Sequence, residues 1–153
     1  FQITRIFPQM TVLENMEVAA LRGGGKGIQL KAHRLLDFVG LTHLTGEYGG
    51  NLSYGQQKLL ELAMALMPSP RMLLLDEPTA GINPTLINNL VDRLQRANAE
   101  LGITLLVIEH NMPVIMRLAR RLYCLAHGQM LAEGAPEQVQ RDPRVLDAYL
   151  GAA

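Results

Sequence analysis

Leu73-Leu74-Leu75-Asp76-Glu77-Pro78 sets a hydrophobic run against two adjacent carboxylates and a proline. In open parallel sheets, ligands bind beyond the carboxyl ends of the strands, where these acids would stand. Successive strand side chains point opposite ways, so Asp76 and Glu77 are expected to do different work: one can meet a magnesium ion while the other faces a water. Pro78 biases Glu77 toward an extended backbone that keeps its carboxylate at the strand tip. Paired acids also end strands as plain surface charges, and the pair by itself leaves both readings open. A second group is Leu52-Ser53-Tyr54-Gly55-Gln56. A serine and a glycine at a helix start offer backbone N–H groups and the positive end of the dipole to an anion such as phosphate. Gly55 would let the anion approach the backbone, while Ser53 equally suits the simpler task of capping its own helix. A third group, Glu109-His110, follows a second apolar run. The cluster Gly23-Gly24-Gly25-Lys26-Gly27 lacks both the glycine spacing and the Ser or Thr after lysine of a G-x-x-x-x-G-K-[ST] phosphate loop. It reads as a flexible connector.

These groups need elements to hold them. Ser53 and Gln56 have the spacing of a capping box ahead of Leu59, Leu62, Ala63, Leu66 and Met67, which predicts a helix closed by Pro68 and Pro70. Met72 to Leu75 suits a strand buried on both faces of a parallel sheet. Asn83-Pro84 caps a helix carrying Leu86, Leu90, Leu94 and Ala97, with Gly102 as its stop, and Ile103 to Ile108 is a second buried strand. Strand, helix, strand in that order calls for a parallel sheet with a right-handed crossover. Upstream, Thr11 and Glu14 form another capping box before Met16, Ala19 and Ala20. Leu30 to Val39 reads as a helix ended by Gly40, and 42 to 51 as a glycine-bearing loop. Downstream, Met112, Ile115, Leu118 and Ala119 predict a helix, and His127-Gly128 a turn between Leu122–Leu125 and Met130–Glu133. That hairpin is expected at the sheet's edge. Asp142-Pro143 opens a last helix with Val145, Leu146, Tyr149 and Leu150 on one face. The fold class is α/β.

Composition narrows the function. The 153 residues fit one domain. Fourteen basic residues balance fourteen acidic ones, so no basic field exists to hold a nucleic-acid backbone, and nucleic acid is not an expected partner. The 48% apolar and 18% charged content is that of a folding chain. A single cysteine, Cys124, cannot form an internal disulfide and suits a reducing compartment. No apolar run approaches the roughly 18 residues of a membrane span, and Phe1-Gln2-Ile3-Thr4-Arg5 lacks the core of a signal peptide, so a soluble, unexported protein is expected. The chain opens without methionine or polar lead-in, which suggests a truncated N-terminus.

Taken in order, these motifs resemble the ATP-binding subunit of ABC transporters. LSYGQ at 52 to 56 resembles the family's signature motif, LLLDEP at 73 to 78 its Walker B strand and catalytic glutamate, and VIEH at 107 to 110 its switch histidine. Phe1-Gln2 resembles the loop whose glutamine contacts magnesium and the transmembrane partner. Finer features, IFPQMTVLEN, LSYGQQKLLELAMAL and DEPTAGINP, are similar to the ATPases of branched-chain amino-acid importers.

The resemblance implies a partial P-loop NTPase core, with parallel strands flanked by helices and a helical signature subdomain. Its parts would run from about 8 to 67 (helical subdomain and signature helix), 68 to 134 (core and edge hairpin) and 135 to 151 (C-terminal helices). It implies two such subunits enclosing two ATP molecules, with Mg2+, against membrane permease subunits served by a solute-binding protein. Glu77 would be the general base, Asp76 and Gln2 would meet magnesium, and His110 would stabilise the terminal phosphate. Ser53, Gly55, Gln56 and Asn83 would contact nucleotide, as would Gln2, with Asn83 lying at the dimer interface. The protein would sit at the cytoplasmic face of the cell membrane. Two departures stand out: Tyr54 replaces the usual glycine of the signature, and no phosphate-binding loop is present, so the chain alone is expected to be a poor ATPase. The competing readings are a non-catalytic interaction fragment and a cytosolic ABC ATPase without a transport role.

Overall fold

The computed structural model describes residues 5–20 and 27–150. The chain divides into two compact units, one ending at Ile108 and the other beginning at Glu109. In the first, α1 (Val12–Ala19), α2 (Ile28–Val39) and α3 (Tyr54–Leu66) pack on one another. After them come β1 (Met72–Asp76), α4 (Pro84–Leu101) and β2 (Thr104–Ile108). Their ends follow local chemistry. Thr11 and Glu14 close a capping box at α1: the Glu14 N–H donates to Thr11 Oγ1 at 3.2 Å and the Thr11 N–H to Glu14 Oε2 at 2.7 Å. Those bonds to its charged form hold the Glu14 carboxyl below the usual carboxylate range. Gly40 and Gly102 end α2 and α4 at φ of 81° and 66°, the left-handed conformation that glycine adopts without steric cost.

The segment before α1 is held by a buried amide. Asn15, with no exposed surface, accepts from the Phe7 N–H at 2.7 Å and donates to the carbonyls of Phe7, Met10 and Thr11 at 3.0, 3.2 and 2.9 Å. The same segment bonds the 45–51 region: Val12 N–H donates to Glu47 O, Gly49 N–H to Met10 O, and Gly50 N–H to Pro8 O. One buried side chain thereby satisfies backbone groups that regular structure leaves unpaired here.

β1 and β2 pair in parallel from Met72↔Thr104 to Asp76↔Ile108, with α4 as the crossover and packed on β2. The expected burial of both strand faces does not occur. Leu73 is buried, whereas Leu74 is 72% exposed and Ile108 63%, with Met72 and Leu106 on the same outward face. A continuous apolar run reports the composition of a strand but not how many faces are covered, and among the described residues only the α4 side is.

The second unit holds α5 (Met112–Leu118), β3 (Leu122–Ala126), β4 (Gln129–Gly134), α6 (Pro136–Val139) and α7 (Pro143–Leu150). His127 and Gly128 connect β3 to β4 at φ of 50° and 76°, the paired positive angles of a two-residue hairpin turn whose twist matches its strands. Among the described residues this hairpin forms a two-stranded antiparallel sheet of its own; the expected pairing at the edge of the parallel sheet is not seen. A tight local turn closes such a pair at little entropic cost. Cys124, Ala132 and Val139 form its buried core with Leu122, Leu131 and Val145 against them, and the cysteine is a free thiol. Asp142 caps α7 and binds Arg144, whose guanidinium holds that carboxyl below its ordinary range. No helix among the described residues is long and apolar enough to cross a membrane.

Candidate functional site

The two acids diverge at the end of β1. Asp76 keeps strand geometry, paired in register with Ile108 and exposed. At Glu77 the backbone turns: its N–H donates to Ile108 O at 2.9 Å, one bond past the strand, while its φ is 45°. The extended conformation expected from the following proline is therefore wrong. Proline's ring disfavours the right-handed region for the preceding residue, and a chain that must turn at once, with Ala80 N–H bonding Glu77 O at 3.1 Å, takes the left-handed one. A non-glycine residue so placed stores about 1–3 kcal/mol of strain, which persists where surrounding structure over-determines it. Glu77 is half-buried and Asp76 exposed, so the two carboxylates meet different surroundings.

The turn at Ser53 begins with a second capping box. The Ser53 N–H donates to Gln56 Oε1 at 2.8 Å, and the Gln56 N–H to Ser53 Oγ at 3.4 Å. Ser53 Oγ accepts in this box and keeps its own proton to donate to an anion. Gly55 has a role that sequence reasoning missed. It is buried, and a Cβ there would stand 2.2 Å from Leu86 Cδ1, so the first turns of α3 and α4 interlock where glycine leaves room. Leu86 N–H in turn donates to the Oδ1 of Asn83, the exposed N-cap of α4, at 3.0 Å.

Tyr54 also reaches the loop after Glu77. Its hydroxyl donates to Ala80 O at 3.5 Å, and its ring lies where a Cβ on Gly81 would come within 3.7 Å. The first unit thus brings the Ser53 turn and the loop from Glu77 to Asn83 together. His110 belongs to the second unit, where its N–H and that of Asn111 donate to Glu109 Oε2 at 3.0 and 3.1 Å. Gln2 lies outside the described residues.

Among the described residues no group of three or more His, Cys, Asp or Glu side chains could hold a metal. Mg2+ needs no such cage: it keeps several waters and binds through one or two carboxylates plus substrate phosphates, and exposed Asp76 at a strand end fits that donor set. An open recess of about 400 Å³ beside α4, lined by Asn89, Asp92, Arg93, Gln95 and Arg96, contains none of these site residues.

Residues 1–80 match the family model described as ABC transporter, and residues 129–153 the one described as branched-chain amino acid ATP-binding cassette transporter. A relative in Archaeoglobus fulgidus, a probable branched-chain amino acid transport ATP-binding protein LivG, is 36% identical over 99% of this chain and 64% of its own length. The high-affinity branched-chain amino acid transport ATP-binding protein BraF of Pseudomonas aeruginosa is also 36% identical, over 100% of this chain and 67% of that protein. The chain thus spans about two thirds of the length of the curated relatives it matches. Among solved structures, the ADP conformation of MJ1267, an ATP-binding cassette of an ABC transporter, superposes with a TM-score of 0.81 at 34% identity, over 95% of this chain and 64% of that one. A dimeric post-hydrolysis state of the cassette MJ0796, bound to ADP and Pi, gives 0.75 at 26% identity, over 89% and 61%.

Proposed function

Because this chain belongs to the ATP-binding proteins of ABC transporters, in their branched-chain amino-acid group, we propose that it is the nucleotide-hydrolysing part of a branched-chain amino-acid importer. The observation that supports this best is the divergence of Asp76 and Glu77 at one strand end, with strain localised at Glu77. The two carboxylates are thereby set up for two tasks. Asp76, in line with the strand, would hold Mg2+ directly or through water. Bound there, the ion would neutralise charge on the phosphate oxygens. Glu77 would accept the proton of the attacking water.

Gln2 would reach the same metal and nucleotide, and His110 would donate to the terminal phosphate. The Ser53 hydroxyl and the first-turn backbone at Gly55 would meet the terminal phosphate of the nucleotide held by a second ATP-binding subunit. Gln56 braces that turn through its bond with Ser53, and Asn83 would lie against the second subunit. The region from about 8 to 67 would dock on permease subunits at the cytoplasmic face of the membrane, with a solute-binding protein beyond them. In this division, 68 to 134 would carry the catalytic core and 135 to 151 the terminal helices.

No segment of the 153 residues matches G-x-x-x-x-G-K-[ST], so the chain alone is proposed to hydrolyse ATP poorly. That observation also supports a second reading, a fragment that lends its signature turn to a complete partner. Supplying the chain's sequence within a complete subunit, assembled with its own permease in vesicles, should give ATP-dependent uptake of labelled leucine, isoleucine or valine. ATP hydrolysis without uptake of any of the three would overturn the solute assignment. A slower rate in a complete subunit mixed with the bare chain would favour the second reading.

A further inference from the structure

We infer that Tyr54 is a positioning residue that fastens the loop after Glu77 to the first turn of α3, making the two one mechanical body. The loop from Glu77 to Asn83 leaves a strained residue and carries a second positive φ at Gly81, 72°. Its internal bonds are short-range: Ala80 N–H to Glu77 O at 3.1 Å and Ile82 N–H to Thr79 O at 3.3 Å. It is tied to the rest of the unit at Glu77, whose N–H bonds Ile108 O, and at buried Thr79, and α3 adds a further hold. The Tyr54 ring covers Gly81 and its hydroxyl reaches Ala80 O, while one residue along the helix Gly55 receives Leu86, just beyond the loop. The ring is itself steadied, since the Lys58 ammonium lies 5.7 Å from its centroid and is paired to Glu61 at 3.3 Å. The first turn of α3 therefore meets the loop at Tyr54 and the start of α4 at Gly55. Glycine at 54 would remove the ring and hydroxyl contacts to Gly81 and Ala80.

The consequence rests on the proposed function, in which Ser53 and Gly55 serve one nucleotide while Glu77 serves another and Asn83 lies against the second subunit. A rigid link between those strips within one chain carries the state of one ATP site to the other. Tyr54, to which the proposed function gives no nucleotide contact, would set how strongly the two sites act together.

Two measurements separate the link from its consequence. Amide hydrogen exchange on this chain should show Ala80 and Ile82 exchanging about five- to ten-fold faster in Tyr54→Gly, on the scale of one lost neutral contact, and within about two-fold of wild type in Tyr54→Phe, which keeps the ring. Unchanged exchange in Tyr54→Gly, or acceleration spread evenly over α2, α3 and α4, would overturn the positioning role. In a complete subunit, Tyr54→Gly should lower the Hill coefficient for ATP hydrolysis toward 1 and Tyr54→Phe should restore it. A Hill coefficient that stays at the wild-type value in Tyr54→Gly would overturn the coupling. A complete wild-type subunit that hydrolyses no ATP would defeat the proposed function and the coupling built on it, while the exchange result would still decide the positioning role.

Discussion

Glu77→Gln, in a complete subunit, should lower ATP turnover by about 10²- to 10⁴-fold, the range that a positioned general base supplies. ATP affinity should stay within a few-fold of wild type. The substitution keeps the shape of the side chain and asks nothing new of the backbone, since glutamine bears the left-handed conformation at position 77 at the same cost as glutamate. What it removes is the carboxylate that can take a proton from water. Asp76→Asn provides the contrast: a weakened metal ligand should raise the Mg2+ concentration needed for half-maximal rate, and excess Mg2+ should recover part of the activity. Steady-state turnover, with nucleotide affinity measured separately, checks both. Equal loss of binding and turnover in Glu77→Gln would make Glu77 a binding residue and remove it from the role of base.

Gly55→Ala is expected to destabilise the first unit by about 1–3 kcal/mol, the usual cost of forcing an added methyl into packed space. A Cβ at 2.2 Å from Leu86 Cδ1 lies far inside contact distance, and it would also stand 2.9 Å from Cδ2 and 3.0 Å from Cγ of that half-buried side chain. Leu86→Ala should relieve the clash at the price of a cavity. In the double variant, the Gly55→Ala penalty should shrink by about 0.5–3 kcal/mol, the coupling typical of residues in direct contact. Urea unfolding of the two single variants and the double variant reads this out. Strictly additive losses would mean that the two helices do not interlock at this point.

What could be read in the sequence was what neighbouring residues settle between themselves. The capping boxes at Thr11 and Ser53, the Asn83-Pro84 start of α4, the glycine stops at 40 and 102 and the His127-Gly128 turn all depend on bonds spanning five residues or fewer, and each stands where its spacing put it. The parallel pairing of β1 and β2 followed from element order. The misses depend on distant partners. Glu77 turns left-handed because its N–H reaches Ile108 O on another strand, which a rule about the next residue cannot contain. The second purpose of Gly55 lies on α4, and that of Tyr54 on Gly81. Asn15, in the middle of α1, reads as an ordinary helix residue until the 7–11 segment folds back over it. For glycine a usable signal did exist: a glycine inside a helix is a penalty that something must offset, and close packing is the usual offset.

Nucleotide binding by these residues is proposed to need a phosphate-binding loop, which no segment of the 153 residues supplies. Calorimetric titration of magnesium ATP tests it most directly, with two samples side by side: the 153-residue chain, and the same chain joined to the portion of the Archaeoglobus fulgidus LivG protein that it does not match. Saturable binding by the joined protein and none by the shorter chain is the predicted result. A joined protein that folds and yet takes up no nucleotide, or a shorter chain that binds ATP as tightly, would contradict it.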